Sequence, residues 1–98
     1  MKKSLDEIKD ILNKHREELR QKYNITEMGI FGSYVRGEQK KRSDVDILVE
    51  IGKPVSLLTF VGIENYLAKI LKTKVDLIPK DSIRPELKER ILKEVVYL

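Results

Sequence analysis

Apolar residues recur at Leu5, Ile8, Ile11, Leu12, Leu19 and Tyr23, a spacing that gathers them on one face of a helix. Just ahead, Ser4-Leu5-Asp6-Glu7 has the form of a capping box, in which the serine hydroxyl and the glutamate carboxylate satisfy amides at a helix start. The pattern predicts a first helix over residues 4–22. His15 lies close to its apolar stripe, and a lone histidine there is expected to be a packed or edge residue rather than a catalyst. Residues 25–31 are short and partly β-branched, and they run into Gly32: a first strand. Residues 32–37 leave room only for a short helix, closed by Gly37. Residues 38–43 form a polar loop.

The clearest alternation follows. Val45, Ile47, Val49 and Ile51 share one face of a strand, and Asp44 and Asp46 share the other. Gly52-Lys53-Pro54 breaks it. Leu57, Phe60, Ile63, Leu67, Ile70 and Leu71 return to the helical period, and residues 74–79 make a third strand that carries Asp76. Pro85 suits a first helical turn, after which Leu87, Ile91, Val95 and Leu98, flanked by Leu92, predict a final helix to the end of the chain. The order is α-β-(short α)-β-α-β-α. It predicts an α/β fold, a small mixed sheet of about three strands with helices packed on one face, and aspartates on the other face or its rim.

Composition narrows the chemistry. The chain has 98 residues, enough for one small domain spanning 1–98, and no repeat or linker divides it. With no cysteine and one histidine, thiolate and multi-histidine metal sites are excluded. Any resident metal must be a hard cation held by carboxylates, Mg²⁺ or Mn²⁺ above all. Charged residues make up 37% and the net charge is +4, which suits an anionic partner such as a nucleotide. The signs are mixed apart from Lys40, Lys41 and Arg42, which argues against an extended nucleic-acid track. No apolar stretch resembles a signal peptide or approaches the ~20 residues that span a bilayer, so a cytoplasmic location and no membrane partner are expected. Phe60, Tyr66, Tyr97 and Leu98 are candidates for an association patch, homo- or hetero-oligomeric.

Three features carry candidate chemistry. Gly32-Ser33 ends a strand and opens a short helix: glycine lets backbone approach a phosphate, and serine adds a hydroxyl donor. Taken alone, such a pair is an ordinary turn. Asp44 and Asp46 point the same way with Cα atoms about 6.5 to 7 Å apart. They can converge on one cation or on two roughly 3.5 to 4 Å apart, or they can be solvated strand-opening residues. Asp76 joins them only if its strand neighbours theirs; otherwise it is an edge residue. Gly-Ser, ten residues, then Asp-x-Asp should arise by chance in about one chain of this length per thousand. Arg36 can offer a planar fork to a phosphate or pair with Glu38.

The text Phe31-Gly32-Ser33-Tyr34-Val35-Arg36-Gly37-Glu38, then Ser43-Asp44-Val45-Asp46-Ile47-Leu48-Val49, resembles the signature of the DNA polymerase β-like nucleotidyltransferase superfamily. Within it the chain is similar to the minimal nucleotidyltransferase (MNT, MntA-type) antitoxins that pair with HEPN-domain ribonuclease toxins. The resemblance covers nearly the whole chain and includes the later aspartate, Asp76. It implies that Gly32 and Ser33 bind the β- and γ-phosphates of ATP. Asp44 and Asp46 would coordinate two Mg²⁺ ions, and Asp76 would bind the catalytic metal and help activate the attacking hydroxyl. The implied reaction moves AMP from ATP to a tyrosine of the partner toxin. Two alternatives stay open: an antitoxin that neutralises by occlusion alone, and a nucleotidyltransferase acting on RNA or a small-molecule hydroxyl.

Overall fold

Ser4 opens the first helix as its sequence requires. Its hydroxyl accepts the Glu7 N–H and its own N–H donates to the Glu7 carboxylate, both at 3.2 Å. The computed structural model describes residues 3–40 and 44–98. Lys41 and Arg42 of the basic run, and Ser43 of the motif, lie outside the described residues.

Helix α1 spans Leu5–Tyr23 and ends at Asn24, which takes the left-handed conformation at φ 59°. Strand β1 (Ile25–Phe31) leads into the single-turn helix α2 (Ser33–Arg36), and β2 (Val45–Ile51) follows the loop. Helix α3 (Leu57–Leu71) starts at Ser56, whose hydroxyl accepts the Thr59 N–H at 3.1 Å. Strand β3 (Val75–Pro79), a 3₁₀ turn (Lys80–Ser82), helix α4 (Pro85–Glu94) and strand β4 (Val96–Tyr97) complete the chain.

The sheet has four strands in the order β3-β2-β1-β4. Strands β1 and β2 are antiparallel, β2 and β3 parallel, and β4 runs antiparallel to β1. One face is dry: Val45, Ile47 and Val49 meet Ile8, Leu12 and Leu19 of α1 and Ile63, Leu67 and Leu71 of α3. The aliphatic core expected from composition is this layer. None of the polar or charged residues described is buried.

Two expectations are corrected. Helices do not stay on one face: Ile91 of α4 packs on the opposite face against Phe31 and Leu48, leaving only one end of that face to the aspartates. Nor does the last helix reach the end of the chain. It stops at Glu94, and Val95 is extended at φ −62°, ψ 135°. Val96 and Tyr97 then pair with Ile30 and Gly29, and the Leu98 N–H donates to the Met28 carbonyl at 3.0 Å. Valines 95 and 96 favour extended backbone, and β1 would otherwise present an open edge of unpaired amides. The fit depends on Gly29, where a Cβ would lie 2.5 Å from the Val95 side chain.

The residues suggested for an association patch divide. Phe60, Tyr66 and Leu98 pack against the main core, and only Tyr97 is exposed. Among the described residues, the large apolar side chains that stand furthest into solvent are Leu57 and Leu58. His15 is the edge residue expected: its Nδ1 lies 2.9 Å from the Ile11 carbonyl, and its ring meets Tyr66 edge-on. Among the described residues, no helix is long and apolar enough to cross a membrane.

Candidate functional site

The site lies where β1 ends, β2 begins and β3 runs alongside. Asp46 sits opposite Phe31 across the antiparallel pair and opposite Asp76 across the parallel pair. Opposed residues in register on neighbouring strands project to the same side, so two acidic side chains stand next to each other on the face that α4 leaves uncovered. Asp44 lies two positions earlier, half-buried, at the entry to β2. Asp46 is also half-buried, and Asp76 is exposed.

Phe31 opposing Asp46 makes Gly32 the next residue along, and the two are in intimate contact. Gly32 is buried with φ 81° and ψ −152°, a region open essentially to glycine alone. A Cβ there would fall 2.0 Å from Asp46 Oδ2. Glycine is therefore required twice, for the backbone angle and for the approach of the carboxylate. The Gly32 carbonyl accepts the N–H groups of Val35 and Arg36, so Ser33 is projected at the start of α2, half-buried. Gly37, left-handed at φ 71°, closes the turn. Gly32, Ser33, Asp44, Asp46 and Asp76, singled out from spacing, are thus brought to one end of the sheet.

Electrostatics register the crowding. Burial, then the charges of Asp76 and Asp44, push the Asp46 carboxyl up from its ordinary 3.8 to about 6, with Arg36 opposing and Glu94 adding to the rise. The donor set is carboxylate only, which suits a hard divalent cation. As they stand, the described acidic side chains do not close on one point in a group of three or more. The two strands bring Asp46 and Asp76 alongside each other but do not by themselves aim all three carboxylates inward.

Arg36 is more engaged than its sequence suggested. Its Nε donates to Glu38 at 2.6 Å, the pairing foreseen as an alternative to a phosphate contact, and its Nη1 lies 2.6 Å from Glu94 Oε1. Glu94 is the residue at this site that sequence reasoning missed. Its other oxygen accepts the Gly32 N–H at 2.9 Å. Burial works to raise the Glu94 carboxyl, but bonds from Arg36 and Gly32 outweigh it and hold the group below its usual range. The contact spans 62 residues, too far for any local pattern. One faint signal existed: an acidic side chain in the last turn of a helix opposes the helix dipole and calls for a partner.

Comparison with known proteins agrees with this geometry. The nucleotidyltransferase domain family matches residues 12–98. Protein adenylyltransferase MntA of Thermococcus cleftensis is 47% identical over 95 residues, which are 97% of this chain and 96% of the relative. A candidate minimal nucleotidyltransferase of known structure superposes with a TM-score of 0.81 at 25% identity, covering 98% of this chain and 97% of its own. A toxin–antitoxin crystal structure with AMP-PNP contains a chain that superposes at 0.73 with 27% identity, over 87% of this chain and 69% of that one. Signature residues, their convergence at one sheet end and a match over most of the length agree: this chain belongs to the nucleotidyltransferase domain family.

Proposed function

We propose that residues 1–98 act as one Mg²⁺-dependent protein adenylyltransferase, moving AMP from ATP to a tyrosine hydroxyl of a HEPN-domain toxin and so silencing it. The observation that carries this reading is Asp46, in register with Asp76 and packed against Gly32, its carboxyl pushed up by burial and by its acidic neighbours. Two carboxylates side by side are costly unless a cation offsets their repulsion. Support for the substrate and partner comes from the relative named a protein adenylyltransferase and from the toxin–antitoxin structure with AMP-PNP.

In this reading, the Gly32-Ser33 turn meets the β- and γ-phosphates with the Ser33 hydroxyl as a donor, and Arg36 lies beside it. Asp44, Asp46 and Asp76 would hold the metal. When bound, Mg²⁺ neutralises triphosphate oxygens and polarises the α-phosphorus. The tyrosine oxygen attacks that phosphorus, the bond to the β-phosphate oxygen breaks, and pyrophosphate leaves. Asp76, the most solvent-accessible of the acidic set, is placed to take the hydroxyl proton.

The test is transfer of α-labelled ATP to the partner toxin. Label should reach a toxin tyrosine with the natural chain, and Asp44→Asn or Asp46→Asn should abolish it while both variants stay folded. Undiminished labelling by both variants would remove the metal assignment. Unlabelled toxin that is nevertheless neutralised by the double variant would point to occlusion.

A further inference from the structure

Glu94 ends α4 and reaches across to the turn that opens α2. One oxygen takes the Gly32 N–H at 2.9 Å, the other lies 2.6 Å from Arg36 Nη1, and 14% of its side chain is exposed. The element it grips cannot hold itself. Helix α2 is a single turn of four residues between two glycines of positive φ, and no side chain caps its start. A lone turn lies well below the ~12 residues at which helices persist unaided. Without Glu94 the buried Gly32 would present an amide with no acceptor, itself a cost.

We propose that Glu94 is a positioning residue for the triphosphate: it fixes the Gly32-Ser33 turn and holds Arg36 beside it, so that these groups meet the β- and γ-phosphates together. The inference rests on the reading of Gly32, Ser33 and Arg36 as the phosphate-binding turn. Glu94 touches no reacting atom. Its two oxygens tie a backbone amide and a guanidinium to one side chain, the guanidinium through Arg36 Nη1. The same contacts have an opposite interpretation, in which Glu94 is a placeholder that the triphosphate must displace. The two differ in sign.

Calorimetric titration of the full chain with Mg²⁺ and AMP-PNP, and separately with AMP, decides between them. Removing a charge-assisted bond should weaken AMP-PNP binding by about tenfold or more in Glu94→Ala. AMP, which lacks the β- and γ-phosphates, should bind as before. Glu94→Gln keeps an acceptor for the Gly32 amide and loses the charged hold on Arg36, so it should fall between; if the alanine variant does not fold, the glutamine variant decides alone. Tighter AMP-PNP binding in either variant would establish the placeholder and overturn the proposal. Equal weakening of both ligands would reduce Glu94 to a structural role and overturn it too. Ser33→Ala separates the layers. If it leaves the preference for AMP-PNP over AMP intact, the phosphate-turn reading itself fails. If it removes that preference while both Glu94 variants retain it, only the assignment of Glu94 falls.

Discussion

Gly32 and Gly62 are the same residue under opposite constraints. At Gly32, an alanine meets both the glycine-only backbone region and Asp46 Oδ2, so Gly32→Ala should cost about 1–3 kcal/mol in denaturant unfolding, and should remove nucleotide binding. Gly62 lies inside α3 with nothing near its missing Cβ, and Gly62→Ala should stabilise by about 0.5–1 kcal/mol in the same experiment. Asp46 makes a pH prediction. Its folded-state value of about 6 lies above the ordinary 3.8, so between those values the folded protein binds more protons than the unfolded chain. The contribution of Asp46 to metal-free stability should therefore fall as pH rises from 3.8 through about 6. Asp46→Asn should flatten that fall and raise the metal-free melting temperature near neutral pH, while abolishing stabilisation by Mg²⁺. A melting temperature that drops in the asparagine variant would show that the carboxylate is not strained. These residues were legible because their chemistry is local: a glycine at a strand end, two acids on one strand face. Glu94 was not, because its role exists only once α4 lies across the turn.

At the scale of elements, what was readable followed from local chemistry. The capping box at Ser4, the alternation in β2 and the helical stripe of α3 each translate directly into structure. The C-terminal segment did not, because Leu87, Ile91, Val95 and Leu98 satisfy the helical period while the fold needs Val96 and Tyr97 between the last two as strand. Tertiary demand won: β1 has an edge to fill, and two residues of β4 fill it. Strand β3 guards the other edge by different means. Glu64 of α3 accepts the Leu77 N–H at 3.0 Å, and Pro79 has no amide to offer. Within α4 only Ile91 is buried, so it is the main apolar anchor of the helix that carries Glu94. Ile91→Ala should cost about 2–5 kcal/mol in chemical unfolding, whereas Leu87→Ala, at a position 41% exposed, should cost far less. Similar losses at both positions would mean that α4 is held in some other way.

For the whole molecule, charge is distributed against its own total. The chain carries +4, yet Asp44, Asp46, Asp76, Glu38 and Glu94 lie towards one end of the sheet, with Arg36 paired to the two glutamates. A bare triphosphate approaching that end meets like charge, so binding should require a divalent cation as counter-charge. Chelation with EDTA should abolish ATP binding, and Mg²⁺ should restore it; ATP bound equally well in EDTA would break the link between acids and metal. The central claim can be seen directly by growing crystals with Mn²⁺ and AMP-PNP and collecting anomalous diffraction at the manganese edge. The account predicts anomalous density between Asp44, Asp46 and Asp76, within coordination distance of their carboxylates and facing Ser33. Manganese bound only elsewhere on a well-ordered chain, with those three side chains left apart, would contradict it.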